Sequence, residues 1–458
     1  MRQYKTRLEM FSIHDHVGLA AHMEKQAEKG WMLEHIGNWG WRYRRIEPQN
    51  LRFSVTYFPP ASMFDPAPTE EEETFREYCE RAGWKLAASN AQIQVFYTDD
   101  PNAVPLETDA IVQVENIHAA AKKTTLLSNW MLGIMGLIYT IMWLVSFFEN
   151  PVLMVADYSG WFRAISFGNL LLLCGVELIS YYLWHKKAVS VAEETGQLHP
   201  TRSHRAFQTV SLAVVIASLL FWFLSMQSRR TKVIAAAALL NMAVLLAVVQ
   251  GCRIILKKLG VSKTKNKVIT LTVDFVLAFL LIGMLPNWIM RMDLSDKTPV
   301  DTYEHRGSVR YVYNDPLPVS VEELMEVDPA LYSKSMEVQK TVLASIYDAG
   351  QRMRWDAEEM QPNLDYKLAV IEIPAWTAFF WNGWTEDYRQ EFPAYQRLQA
   401  RDPEPWNAIE ACRVVYEGGG EGAWYIRWED RFVRLSADWE LTEEQMGIIA
   451  EKLLHCAE

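Results

Sequence analysis

The sequence predicts three parts in a row: an α+β domain, a five-helix transmembrane core and a second α+β domain. Charge segregation is the first observation behind this reading. Residues 1–120 carry 12 Lys/Arg against 18 Asp/Glu, residues 121–290 carry 16 against 6, and residues 291–458 carry 17 against 32. The second is that five long apolar runs all fall in the basic middle. The third is that both acidic ends show short alternating runs broken by turn residues, as strands do. An acidic–basic–acidic order with the apolar runs in the basic part is the pattern of a membrane core with cationic loops. Acidic ends exclude nucleic acid as a partner, because phosphate binding needs a cationic surface.

Residues 1–100 read as strand–helix–strand–strand, twice, ferredoxin-like in character. Tyr4–Ser12 is extended, and His14–Lys29 is helical up to Gly30, a residue suited to the left-handed turn that closes a helix. Met32–Ile36 and Trp41–Ile46 form a hairpin around Asn38, and Leu51–Phe58 alternates Phe53, Val55 and Tyr57. A second helix starts in the run Glu70–Glu73, whose charges suit the positive helix start, and stops at Gly83. Lys85–Ser89 and Gln92–Thr98 complete the second half. Glu24, Gly30, Trp31 and Leu33 correspond to Glu77, Gly83, Trp84 and Leu86, all at an offset of 53. Glycine stops each helix and the next tryptophan turns into the core, so Gly30, Trp31, Gly83 and Trp84 are expected to be structural. His14 and His16 flank Asp15 and read as an exposed turn at a helix start. Two exposed ligands at i and i+2 make a poor metal site.

This segment resembles the bacterial domain-of-unknown-function family 2812. The resemblance rests on the charged opening strand, the stretch Glu28–Leu33, the aromatic hairpin Trp39–Tyr43, the Phe53–Tyr57 strand and Arg81–Trp84. It covers residues 1–100 and implies a soluble module placed before membrane helices. It implies no activity and no catalytic residues. A polar linker over residues 101–125 is expected to lead to the membrane.

Crossing about 30 Å of hydrocarbon takes roughly 20 apolar residues in a helix. Residues 126–148, 162–184, 206–226, 233–255 and 268–289 meet that requirement. Trp130, Trp161, Trp184, Trp222 and Trp288 lie near their ends, where amphipathic rings favour the headgroup zone. No apolar signal sequence opens the chain, so delivery to the membrane is expected to come from the first span. With the N-terminus cytoplasmic, twelve basic residues flank the inside ends and six the outside ends. This predicts a cell-membrane protein with a cytoplasmic N-terminal domain and an extracytoplasmic domain over residues 291–458. Glu177 and Asp274 lie within spans, each roughly 10–14 Å from the same cytoplasmic edge. Intramembrane acids are functional candidates. The plainer reading is that each is protonated or hydrogen-bonded to polar neighbours such as Asn241 or Gln250.

In the last part Ser308–Tyr313 and Tyr366–Ile373 alternate as strands. Ile409–Tyr416, Trp424–Trp428 and Phe432–Leu435 form a meander, and Thr442 with Gln445 makes a capping box for a closing helix. The aromatic run Trp376–Trp384 fits a packed core, a patch on the membrane surface or a pocket wall. Cys412 in the meander and Cys456 in the closing helix both point inward, which makes them a candidate disulfide pair, with two buried thiols as the alternative. The tract Glu417–Gly422 lacks the Lys-Ser/Thr ending of a phosphate loop and reads as a hairpin tip. No catalytic, cofactor-binding or metal-binding motif stands out, so none of these roles is assigned. Two soluble modules joined by five helices therefore fit a non-enzymatic membrane regulator or sensor that couples an outside domain to a cytoplasmic domain. Its expected partners are the lipid bilayer and an unidentified protein or small ligand. The alternative is a transporter or transporter accessory subunit using Glu177 and Asp274.

Overall fold

The computed structural model describes residues 3–37, 40–201, 203–226, 228–291, 297–357, 361–390 and 396–456. Asn38 and Trp39 of the expected hairpin, and Arg202 of the basic flanks, lie outside the described residues. The chain divides into two compact units. One contains Met1–Ile138, Ser166–Phe221 and Thr231–Asp293, and the other Tyr139–Ile165, Trp222–Arg230 and Leu294–Glu458.

In the first unit the expected duplication is realised strand by strand. Tyr4–Arg7 (β1), His16–Glu28 (α1), Trp31–Gly37 (β2) and Gly40–Arg45 (β3) make the first half. Arg52–Tyr57 (β4), Glu70–Arg81 (α2), Lys85–Asn90 (β5) and Ile93–Thr98 (β6) make the second. Each half forms its own antiparallel three-stranded sheet with the same order, β1-β3-β2 and β4-β6-β5. Asp15 caps α1 by accepting from the Gly18 amide, and Thr69 caps α2 by accepting from the Glu72 amide. Both helices end in glycine with positive φ, +76° at Gly30 and +86° at Gly83, a conformation that disfavours any residue with a Cβ.

The stretch expected to be a polar linker contains Ala110–Ala121 (α3), capped by Asp109. Ala110, Val114, Ile117 and Ala121 recur at helical spacing and are buried in the core of the first unit. Its other face mixes exposed Ile111 and Val112 with Gln113, Glu115 and Asn116, so no clean apolar stripe marks the helix in the sequence. It runs through a π-helical turn, Lys122–Leu126, into Leu127–Glu149 (α4).

Four further helices follow the short Pro151–Val155 (α5): Tyr158–Thr195 (α6), Arg205–Ser225 (α7), Arg229–Lys258 (α8) and Lys263–Arg291 (α9). Together with the helix through α4, five helices among the described residues are long and apolar enough to cross a membrane. Their surfaces support that reading, since Phe279 is 80% exposed and Leu224 76%. Such side chains are stable only against an apolar medium. The 38 residues of α6 span about 57 Å, well beyond the thickness of a bilayer core. Its last turns, with Lys186, Lys187, Glu193 and Glu194, therefore extend past the apolar stretch.

In the second unit Asp301–His305 (β7) and Ser308–Val312 (β8) form a separate hairpin. Tyr332–Lys340 (β9), Ala344–Met353 (β10), Leu364–Ile371 (β11), Gln396–Arg401 (β12), Glu410–Tyr416 (β13), Gly420–Arg427 (β14) and Arg431–Ala437 (β15) build one antiparallel sheet. Its order is β12-β13-β14-β15-β11-β10-β9. The meander is thus the centre of a larger sheet, to which the unexpected β9, β10 and β12 add the edges.

Alternate residues line two cores, as the strand period requires. On one face Leu368, Ile426 and Val433 pack with Ile449 and Leu453 of the closing helix Glu443–Leu454 (α11). Thr442 and Gln445 form the expected capping box of that helix. On the other face Ala369, Tyr425 and Phe432 pack with the helix Thr377–Gln390 (α10) and with α5. The aromatic run is accordingly divided. Phe380, Trp381 and Trp384 are buried core, whereas Trp376 and Phe379 are 45% and 46% exposed.

The two-face arrangement corrects the disulfide expectation. Cys412 packs with the α10 face and Cys456 with the α11 face, and both are thiols. Both point inward as read, but toward opposite sides of the sheet, so the sheet itself separates them.

Candidate functional site

A dense buried polar assembly lies within the first unit, where residues 9–16 meet α6 and α7. The segment between β1 and α1 lies outside the sheet and carries Glu9, Ser12, His14 and Asp15 inward. Opposite them, one turn apart on α6, stand Glu177 and Ser180, and the start of α7 supplies His204, Arg205 and Gln208.

Two linked centres result. At the first, Arg205 Nη2 donates to Glu9 Oε2 at 2.6 Å and its Nε donates to the Met10 carbonyl at 3.1 Å. Tyr43 donates its hydroxyl proton to Glu9 Oε1 at 3.0 Å, and His22 Nε2 lies 3.1 Å from the same oxygen. The Glu9 side chain is 5% exposed. Burial pushes its carboxyl up, but His22, Tyr43 and Arg205 together outweigh that and hold it below the ordinary carboxylate value.

At the second centre, Ser12 Oγ and Gln208 Nε2 both donate to Glu177 Oε1, at 2.9 and 2.5 Å. Ser180 Oγ bridges His204 Nε2 at 2.8 Å and His14 Nε2 at 3.3 Å. Thr201 donates to Asp15 Oδ1 at 2.8 Å, adding a tertiary bond to a helix cap. Burial drives the His14 imidazole down to about 4 and also lowers His16. His14 Nδ1, His16 Nε2 and Asp15 Oδ2 are buried without a hydrogen-bond partner among the described residues. Next to this centre His118 Nδ1 lies 2.7 Å from the Tyr181 hydroxyl, and its ring sits 4.4 Å from His185.

The structure thus assigns each sequence candidate a different place. Glu177 bonds to Ser12 and Gln208, not to Asn241 or Gln250. Asp274 is half-exposed on α9 and finds no hydrogen bond or ion pair among the described residues. The two acids therefore share no contact. Trp84 is buried and donates its indole proton to the Val104 carbonyl at 2.8 Å. Trp31 departs from the expected core position: it is half-buried, with Lys5 Nζ 4.3 Å and the Arg45 guanidinium 5.0 Å from its ring. His14 and His16 are corrected from exposed to buried, 1% and 5% exposed. The available signal was that polar Arg205 and Gln208 open an otherwise apolar helix while Ser12, His14 and Asp15 crowd a loop. Among the described residues no three His, Cys, Asp or Glu side chains are placed to hold a metal.

The second unit carries a cleft of about 460 Å³ between the β7–β8 hairpin and the β9–β10 edge, flanked by Tyr303, Arg310, Arg354 and Trp355. Arg310 lies 5.6 Å from the Trp355 ring, and Arg354 lies 4.8 Å from that of Tyr303.

A mixed α/β chain with five helices of this length and exposed apolar surface has the architecture of a multi-pass membrane protein. Its amino-terminal part matches the family described as protein of unknown function (DUF2812), over residues 20–129. The match extends past residue 100, through α3 and into the start of α4. The helical lead into the first span therefore falls within the family segment. No curated protein and no solved structure matches the chain.

Proposed function

We propose that the protein is a non-enzymatic membrane regulator or sensor that couples an outside domain to a cytoplasmic domain. The observation that carries this reading is the buried junction of residues 9–16 with α6 and α7. Hydrogen bonds and an ion pair there join the amino-terminal domain to two apolar helices. A buried polar network has few satisfied geometries, so a shift of either helix must disturb it. The same hydrogen bonds disfavour the transporter alternative, since Glu177 is engaged by Ser12 and Gln208 and Asp274 lies apart from it.

The proposed orientation has the amino-terminal domain in the cytoplasm and residues 291–458 outside the cell membrane. Twelve against six flanking cations support it. Within the first unit the amino-terminal domain bonds to the α6–α7 connection through Asp15 with Thr201, and to the start of α9 through the Phe64 carbonyl, which accepts from Asn266. The carboxy-terminal domain bonds to the α4–α6 connection, where Thr341 Oγ1 donates to the Val155 carbonyl at 2.7 Å. The cleft beside Trp355 is the input we assign to the outside domain, for a small ligand or a protein partner.

Coupling is tested by perturbing one unit and reading the other. A Cβ at Gly383 would stand 2.4 Å from Pro151 Cδ, so Gly383→Ala forces α5 and α10 apart. Amide hydrogen exchange is then followed at residues 9–22 in lipid nanodiscs. An altered exchange rate supports the reading. Rates identical to the wild type, with a demonstrably displaced α5, refute it.

A further inference from the structure

Within the first unit a cavity of about 690 Å³ opens between the amino-terminal domain and the last turns of α8. Ile36, Ala61, Met63, Pro66 and Ile254 give it an apolar side. Its charges come from both elements that face it. Arg76 is paired with Glu72 and bonded to Ser89 Oγ at 2.9 Å, and Asp65 is faced by Lys263 at 3.7 Å. These pairs neutralise one another and leave Arg253 and Lys257.

Arg253 is half-buried, and its hydrogen bond among the described residues goes to the Met63 sulfur at 2.9 Å. A thioether is a weak acceptor and carries no charge. Neither Arg253 nor Lys257 has a carboxylate within ion-pair distance among the described residues. They stand four residues apart, on one face of α8. Removing a guanidinium from water without an anion is costly, and a bound anion offsets that cost. Two cations are balanced by a dianion rather than by a single carboxylate, and the arginine fork matches phosphate oxygens.

We infer that this cavity binds a ligand joining a phosphate group to an apolar body, with the phosphate on Arg253 and Lys257 and the apolar body against Ile254, Met63, Pro66 and Pro68. Two sources supply that chemistry: the headgroup of an anionic phospholipid and a soluble phosphate ester. The place of the cations in the final turns of an apolar helix suits both.

The test is a calorimetric titration of the full chain in neutral detergent with dihexanoyl phosphatidic acid below its micelle concentration. Inorganic phosphate and dihexanoyl phosphatidylcholine serve as comparison probes. Saturable binding of phosphatidic acid is expected, weakened about tenfold or more by Arg253→Gln and less by Lys257→Gln, since the guanidinium makes the bidentate contact. Lys258→Gln, one residue beyond the cavity wall, leaves it unchanged. Saturable binding of phosphatidic acid that inorganic phosphate does not displace identifies a lipid headgroup, and displacement by it identifies a soluble phosphate ester. If Arg253→Gln does not fold, by thermal melting, Lys257→Gln carries the test. The proposal is overturned if no phosphate probe binds saturably, if both cavity variants bind as the wild type does, or if phosphatidylcholine binds equally well.

Discussion

Arg205→Gln probes the junction at its most charged point. The Arg205 guanidinium and the Glu9 carboxylate are 2.6 Å apart, and the carboxylate is 5% exposed. Removing one member of a buried pair leaves the other charge uncompensated, which costs about 3–5 kcal/mol. Here Tyr43 and His22 remain on Glu9, so the lower end applies, about 3 kcal/mol. Each 1.4 kcal/mol is about a factor of ten in an opening equilibrium, so amides of residues 9–22 should exchange roughly a hundredfold faster in nanodiscs. The double variant Glu9→Gln/Arg205→Gln should recover most of the loss, because two neutral amides satisfy each other without a buried charge. The sign of the pH dependence follows from the depressed Glu9 carboxyl. Its contribution is complete above the unfolded carboxylate value and is lost as pH falls through the lower, folded one. Exchange in Arg205→Gln within about twofold of the wild type would mean that the pair does not hold the junction closed.

Acidification should loosen the second centre earlier. His14 is held neutral down to about 4 against an ordinary 6.5, so the unfolded state binds the extra proton first and stability falls from pH 6.5 downward. Going to pH 5 should cost about 2 kcal/mol, seen as faster exchange at residues 12–16 and abolished by His14→Gln. Gly83→Ala, where a Cβ meets nothing within 4 Å, should lower stability by about 1 kcal/mol for the positive φ alone. Gly30→Ala should cost more, about 2–3 kcal/mol, since its Cβ would also stand 2.8 Å from the Ile46 carbonyl oxygen; thermal unfolding of the two variants compares them directly. Thr442→Ala should remove a capping bond worth about 1 kcal/mol, read as faster exchange across Glu443–Leu454. Mass spectrometry under non-reducing conditions should find Cys412 and Cys456 alkylated separately, and a linked peptide would contradict the two-face sheet.

What could be read from the sequence follows a physical divide. Period and length mark the five apolar helices, and the Gly-Trp pairs mark both turns of the duplicated half, because those signals are local. The equivalence of the two halves is only topological, however. Leu33 is 2% exposed, while Leu86, its counterpart, is 36% exposed. The sequence repeat cannot tell which half another element will cover. Helix α3 was hidden because its five buried positions stand among exposed residues both apolar, Ile111 and Val112, and polar, so no clean stripe marks it until the surface that receives it is known. The edges β9 and β12 were hidden for the same reason. Edge strands bury little, and Val338 on β9 is 37% exposed, so their pattern carries no clear alternation.

The polar junction is the part least legible locally, and the reason bears on function. Histidine, serine and aspartate in a loop suit an exposed turn, and a glutamate in an apolar run suits an intramembrane acid. Only the meeting of Ser12 with Glu177, 165 residues later, gives either its chemistry. Apolar packing alone would have joined the amino-terminal domain to α6 and α7, and with less sensitivity to register. A buried network that leaves His14 Nδ1, His16 Nε2 and Asp15 Oδ2 without partners among the described residues is a costly way to hold two elements together. It is, though, a selective one. Packing tolerates a sliding contact, while a shift of about 1 Å at Ser180 breaks both of its histidine bonds, since hydrogen bonds fade within a few tenths of an ångström beyond their optimum. A joint that loses bonds on a small displacement responds to helix movement, and that sensitivity is the property a coupling element requires.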